Sequence, residues 1–244
     1  MQLLKRHPFG VRAFFDQSLV LTFALPAAQL QPLLPEPIAL DALPSGLGFL
    51  AVAMVQTRQL RPAAFPAWLG NDFFLAGYRI FTKYHNAEGK RLRGLYILES
   101  QTDSHRMRLL GNLMTHYNYH KVEVSQEQSA ERYRVSSLDQ GFAIEVRYAK
   151  DPALPINSPF ATWREARRYA GPLPFTFTYL PADREVLIVQ GVRQNWQPKP
   201  VEVVHWELPW LERRGFTNAQ LASAFVVQNI PYSWKKGKLE KWPT

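Results

Sequence analysis

Short apolar runs recur along the chain and are cut by Gly, Pro, Asn and Asp, a pattern that predicts many strands and few helices. The runs fall at residues 18–24, 47–57, 73–84, 91–101, 115–125, 132–136, 142–148, 175–180, 186–193, 201–208 and 226–232. The segment from His85 to Lys90, with Asn86 and Gly89, reads as a hairpin loop, and a second hairpin is expected around Asp139, Gln140 and Gly141. Three helices have local support. Ser104 can cap a helix over residues 105–114 in which Met107, Leu110 and Met114 share a face. Ser158 and Pro159 can open another that carries Trp163, Ala166 and Ala170 before Gly171 and Pro172 stop it. Thr217 and Gln220 fit a capping box, with Phe216 and Leu221 as a staple, for a third helix running to about Val227. A shorter helical turn is expected within residues 26–34, limited by Pro32. The proline-rich stretch 150–159 reads as an ordered crossing within one domain spanning residues 1–244.

One predicted strand is unlike the rest. Thr115, His116, Tyr117, Asn118, Tyr119, His120, Lys121, Val122, Glu123 and Val124 crowd imidazoles, phenols and an amine together. If extended, His116, Asn118, His120 and Val122 share one face and Tyr117, Tyr119, Lys121 and Glu123 the other. Neither face is an apolar stripe, so the segment is either a solvated edge or the wall of a pocket.

Composition narrows the chemistry. The 244 residues are 46% hydrophobic, enough for a substantial core, and contain no cysteine, which excludes disulfides, thiolate metal sites and cysteine nucleophiles. The absence of cysteine is compatible with a cytoplasmic location. Near the start, Lys5, Arg6 and Arg12 precede an apolar run broken by Asp16 and Pro26, which does not describe a signal peptide, and no run reaches the roughly 20 apolar residues of a membrane-spanning helix. The net charge of +9 is dispersed; only Lys235, Lys236, Lys238 and Lys241, beside Trp234 and Trp242, form a compact basic group. A surface that attracts small anions is the more economical reading than a nucleic-acid track. A homo-oligomer is compatible with everything in the sequence.

Several residues carry candidate chemistry, each with a plainer alternative. Lys121 is placed to act as an amine nucleophile if desolvation or a nearby cation lowers its pKa, or it is a surface residue paired with Glu123. His116 and His120 suit general acid and base work, or line a pocket as hydrogen-bonded structural residues; no third ligand stands at a spacing that would make them a metal site, and no cofactor is implied. Arg79 lies among aromatics on its strand and suits a carboxylate ligand, or it forms an ion pair with Glu99 on the neighbouring strand. Tyr117 and Tyr119 join Arg79 and Glu99 as candidate substrate-binding residues. Trp206, Trp210, Tyr232 and Trp234 either wall a cavity or fill a core.

The order Leu25-Pro26, Leu33-Leu34-Pro35, Leu40-Asp41, Gly48-Phe49-Leu50-Ala51-Val52, Arg61-Pro62, Tyr78-Arg79, Gly94-Leu95-Tyr96 and His120-Lys121, then Val204-His205-Trp206-Glu207-Leu208-Pro209-Trp210 and Tyr232-Ser233, resembles an uncharacterised bacterial family of unknown function allied to acetoacetate decarboxylase. The resemblance implies an α+β fold: a large curved antiparallel β-sheet, a cone or barrel, with a few packed helices and an internal ligand cavity. It implies a small organic acid or carbonyl compound as ligand, and Schiff-base lyase chemistry in which a lysine pair supplies nucleophile and neighbour. His120 here takes the first place of that pair and Lys121 the second, while Leu75 and Ala76 stand where an acidic residue would precede Tyr78-Arg79. Three readings follow: a Schiff-base lyase acting through Lys121, a ligand-binding protein without the nucleophile, and a basic interaction module using the C-terminal lysines.

Overall fold

The computed structural model describes residues 4–139, 141–171 and 173–242. Its strands are β1 (Val11–Pro26), β2 (Ala39–Leu40), β3 (Leu47–Pro62), β4 (Asn71–His85), β5 (Arg91–Thr102), β6 (Tyr119–Lys121), β7 (Ser125–Gln128), β8 (Arg132–Ser137), β9 (Phe142–Arg147), β10 (Phe175–Leu180), β11 (Glu185–Arg193), β12 (Lys199–Pro200), β13 (Glu202–Glu207), β14 (Gln220–Trp234) and β15 (Lys238–Lys241). The helices are α1 (Ala27–Leu30), α2 (His105–Met114), α3 (Trp163–Ala166) and α4 (Pro209–Arg213).

Eleven strands form one large sheet in the order β12-β14-β1-β3-β4-β5-β10-β11-β15, with β2 on β4 and β6 on β5. Pairing is antiparallel except where β5 meets β10 and β6. β14 reaches back to β11 over only three residue pairs, Gly191–Trp234 to Arg193–Tyr232, so the sheet comes round as a cone-like ring rather than a closed barrel. A second sheet, β13-β9-β8-β7, covers one face.

Alternation along the long strands sends side chains to two separate cores. Leu50, Val52 and Met54 of β3 and Phe74, Ala76 and Tyr78 of β4 pack toward the small sheet, where Val135, Ile144 and Trp210 meet them. Phe49, Ala51, Ala53 and Val55, with Phe81, pack on the opposite face beneath Phe160, Tyr169 and Ala170. Because both faces are covered, these strands read as continuous apolar runs, as expected for doubly buried strands.

That double burial overturns one expectation. The third predicted helix is the strand β14: Ala224 and Val226 go to one core, Phe225 and Val227 to the other, leaving no period to separate strand from helix. The preceding helix is α4, and Phe216 folds back on it, its N–H donating to the Leu211 carbonyl at 2.8 Å. The second predicted helix also starts later. Thr162 rather than Ser158 caps α3, accepting from the Glu165 N–H at 3.3 Å, while the Ser158 hydroxyl donates to the Ala222 carbonyl at 2.7 Å. Other local signals stand: Ser104 caps α2 through the Met107 N–H, α1 occupies the expected short turn, and Asn86 and Gly89 make the β4–β5 hairpin. Gln140 of the second expected hairpin and Pro172 of the expected helix stop lie outside the described residues.

Candidate functional site

Three strands change the phase of their alternation at one end of the ring. β1 carries an extra residue at Asp16 relative to β3, β3 carries one at Arg58-Gln59 relative to β4, and β5 carries one at Leu98 relative to β4. Gln59 takes a left-handed backbone, φ +54°, within its bulge. Bulges sharpen local twist and re-aim side chains. Here they open a hollow of about 390 Å3 in what would otherwise be a packed face. Phe15, Val55, Phe73, Leu75, Ile97 and Trp234 supply apolar wall from the strands. α2 closes one side with Met107, Leu110 and Met114, the face that its sequence spacing marked.

Arg79 of β4 lines this hollow. Two residues further along the same face, Phe81 is fully buried against Tyr169. The Arg79 Nε is sealed from water and has no protein acceptor. Its guanidinium lies flat along the strand over Gly77, where an added methyl would come within 2.8 Å of Nε and Nη2. Burial lowers its pKa, opposed by the phenols of Tyr232, Tyr119 and Tyr117, yet an arginine in such a place remains charged. Among the described residues that line the cavity none is Asp, Glu or Lys. A partly buried cation therefore faces a largely apolar space without a counter-charge, a costly arrangement unless something anionic enters.

The three phenols are held around it by local devices. At the end of α2 the Asn112 side chain clamps the Tyr119 backbone from both sides, donating to its carbonyl at 2.9 Å and accepting from its N–H at 2.8 Å. Gly111 leaves the room that the Tyr119 ring fills: an added methyl would sit 2.5 Å from it. Gly191 does the same for Tyr232, whose hydroxyl would lie 2.2 Å from such a methyl. Burial raises the Tyr119 phenol to about 12, and raises those of Tyr117 and Tyr232 as well, so all three stay neutral hydrogen-bond donors near neutral pH.

The polar segment that follows α2 is mostly not a strand. Only Tyr119–Lys121 pairs, and Asn118 is left-handed at φ +50°, so the chain turns before it. Tyr117 and Tyr119 enter the cavity as one face, while His116, Asn118 and His120 are exposed. For His116, partial desolvation and then the nearby Lys5 charge lower the imidazole from its ordinary value. Val122 is fully buried, so the expected alternation ends at Lys121.

Lys121 and Glu99 belong elsewhere. Both line an open depression outside the cavity, together with His120, Arg108, Asn112 and Trp210. The Lys121 ammonium donates to the Val122 carbonyl at 3.2 Å, and Glu99 pairs with Arg214 at 3.1 Å. The bulge at Leu98 sets Glu99 opposite Tyr78, whereas Arg79 faces Ile97, so the ion pair anticipated between Arg79 and Glu99 does not form. Of the seven residues singled out, the structure gathers Arg79, Tyr117 and Tyr119 at the cavity and places Lys121, His120, Glu99 and His116 outside it. The sequence reading missed Gly77, Gly111 and Gly191, which shape the site, as well as Thr57 and Asn71, whose buried Oγ1 and Nδ2 also lack protein partners on the cavity wall. Tyr232 and Trp234 do wall the cavity, whereas Trp206 and Trp210 pack into the core against Phe23 and Tyr78.

Two of the C-terminal lysines have acidic partners: Lys238 meets Glu240 at 2.9 Å and Lys241 meets Glu185 at 3.0 Å. No group of three or more His, Cys, Asp or Glu among the described residues could hold a metal ion, and no helix among them is long and apolar enough to cross a membrane.

A curved ring of this topology, flanked by a small sheet and enclosing a hollow, is the acetoacetate decarboxylase-like fold. The chain is similar to acetoacetate decarboxylase from Legionella pneumophila, with a TM-score of 0.64 at 9% identity over 96% of this chain and 88% of that one. It is similar to an acetoacetate decarboxylase-like enzyme from Sphingomonas wittichii, with a TM-score of 0.61 at 12% identity over 98% and 94%. It is also similar to the enduracididine biosynthesis enzyme MppR complexed with pyruvate, with a TM-score of 0.58 at 13% identity over 95% and 90%. Residues 13–234 match DUF2071, described as an uncharacterized conserved protein, and the chain belongs to that family. No curated protein matches the chain by sequence.

Proposed function

We propose that this chain binds a small organic carboxylate in the cavity, with Arg79 holding the carboxylate and Tyr117, Tyr119 and Tyr232 donating hydrogen bonds around it. The observation that carries the proposal is the Arg79 guanidinium at the cavity wall, its Nε buried and partnerless, with no acidic group among the described residues of that wall. A bound carboxylate supplies the missing charge and acceptors together, through the bidentate geometry that arginine favours. The pyruvate held by MppR, a protein of the same fold, accords with a small oxo acid in this space.

Binding without amine catalysis fits the placement of side chains better than lyase chemistry. A Schiff base needs an unprotonated amine beside the ligand carbonyl, and Lys121 stands outside the cavity with its ammonium on a backbone carbonyl. The roles of Lys121, His120 and His116 as nucleophile and acid–base pair would require the ligand to sit in the outer depression instead. Borohydride added with a panel of α- and β-keto acids separates the two readings: binding alone leaves Lys121 without a mass adduct, and an adduct there restores the lyase reading. The chain is taken to act as one domain in the cytoplasm, with a small acid or carbonyl compound rather than nucleic acid as partner, alone or as a homo-oligomer.

The direct test is Arg79→Met. A hydrogen bond to a charged group contributes about 1.5–3 kcal/mol, so carboxylate affinity measured by calorimetry should fall roughly 10- to 150-fold. Unchanged affinity would overturn the proposal.

A further inference from the structure

The cavity is longer than a three-carbon acid needs, and its second polar place lies far from Arg79. Thr57 of β3 and Asn71 of β4 both line it; Thr57 Oγ1 and Asn71 Nδ2 are buried, and neither has a protein partner. Thr57 pairs across from Phe73, and the next pair toward the loop is Leu60 with Asn71, so the two polar side chains flank one stretch of the wall. That stretch lies toward the exposed Phe65 and Leu69, which also line the cavity. The guanidinium rests over Gly77, four to six residues back along β4, which at about 3.3 Å per residue is about 13–20 Å. Between the two places the wall is mostly apolar, Val55, Phe73, Leu75, Met107 and Leu110, with Ser18 beside Val55 as a polar interruption. A hollow of about 390 Å3 lies within the range of about 300–1,000 Å3 for pockets that take drug-sized ligands, more than pyruvate's six heavy atoms need.

Resting on the carboxylate reading above, we infer that the ligand is an elongated amphipathic acid: a carboxylate at Arg79, an apolar body of about six to ten carbons, and a hydroxyl or carbonyl oxygen at the far end held by Thr57 and Asn71. An orphaned buried amide and hydroxyl each cost free energy that such an oxygen recovers, Asn71 donating to it and Thr57 donating or accepting. The bulge at Arg58-Gln59 places this second site, because it turns the end of β3 so that Thr57 and Leu60 both face the hollow.

The test uses octanoate and 8-hydroxyoctanoate, with Trp234 on the cavity wall as an intrinsic reporter and calorimetry as the measure of affinity. On the unmodified chain 8-hydroxyoctanoate should bind about threefold to tenfold more tightly than octanoate, the increment of one or two hydrogen bonds. In the Thr57→Val, Asn71→Leu double variant that ratio should fall to one while octanoate affinity holds or rises. If octanoate binds the unmodified chain as tightly as the hydroxylated acid, or more so, the second site is refuted and the Arg79 reading stands. If neither acid binds and acetate and pyruvate also fail, the carboxylate reading falls, and this inference with it. A preference for pyruvate over both eight-carbon acids overturns the elongated ligand while retaining Arg79.

Discussion

Two cations on one face of β4, four residues apart, meet opposite fates. Lys83 finds Asp41 at 2.6 Å, and Arg93 from β5 reaches the other oxygen of the same carboxylate at 2.5 Å. Arg79 finds three neutral phenols and an open space. The Asp41 carboxylate is only 6% exposed, so the first arrangement is a compensated structural charge cluster. The second lacks compensation. An uncompensated, partly buried guanidinium is costly to the fold, and under the proposed function its counter-charge arrives with the ligand. The comparison sets charge that holds the fold against charge that the proposed function assigns to a ligand, and it can be attacked at either end.

The largest effect is expected at the compensated end. Asp41→Ala leaves Lys83 and Arg93 facing each other without their anion. Breaking a buried pair costs about 3–5 kcal/mol, and since both cations are about a quarter exposed, solvent reduces this to about 2–4 kcal/mol. Urea denaturation should show that loss, with carboxylate binding in the folded fraction unaltered. A loss below about 0.5 kcal/mol would mean that the cluster is no more than an ordinary surface pair.

Next comes Gly77→Ala. The added methyl would meet the guanidinium at 2.8 Å, so the side chain must lift from its bed. Alanine suits a strand better than glycine by about 0.5–1 kcal/mol, so stability should change little. Affinity for a carboxylate should fall about tenfold, because positioning rather than charge has been lost. Arg79→Met sharpens the contrast from the other side: removing an uncompensated buried cation should leave the ligand-free protein as stable as before, or more stable by about 1 kcal/mol, where Asp41→Ala destabilises it. A clear destabilisation by Arg79→Met would show that the guanidinium is structural.

How much of this was legible in the sequence follows from the same geometry. Ser104, the spacing of Met107, Leu110 and Met114, and the Asn86–Gly89 hairpin act through local chemistry, so they could be read directly. β14 could not, because burial on both faces erases the alternation that distinguishes a strand. Residue type and period-two spacing singled out Arg79, Tyr117 and Tyr119, which the structure gathers at the cavity. Glu99 lies apart from Arg79 because a single extra residue, Leu98, moves Glu99 to the other face, a shift that alternation in one sequence does not reveal. Thr57, Asn71 and Gly77 carry no signal in one sequence, since their significance lies in what they fail to touch.

The smallest effect reads the field of Arg79 directly. Burial holds the Tyr119 phenol up at about 12 and the Arg79 charge pulls it down, so Arg79→Met should move its titration midpoint higher still, while Asp41→Ala, which acts at the other cation cluster, should leave it where it is. The 13Cζ resonance of Tyr119 reports this in the folded protein. Stability follows with a fixed sign: an unfolded tyrosine titrates near 10, so the folded state's preference for the neutral phenol is undiminished below pH 10 and is lost as pH rises from there toward about 12. A carboxylate ligand places a negative charge beside the same phenols, so at a concentration that just saturates the unmodified chain it should raise the midpoint there and move it far less in Arg79→Met, whose affinity is weaker. A midpoint near 10 in the ligand-free protein would show that water reaches the phenol and that the guanidinium is already solvated, removing the difference from Lys83 on which the binding reading rests.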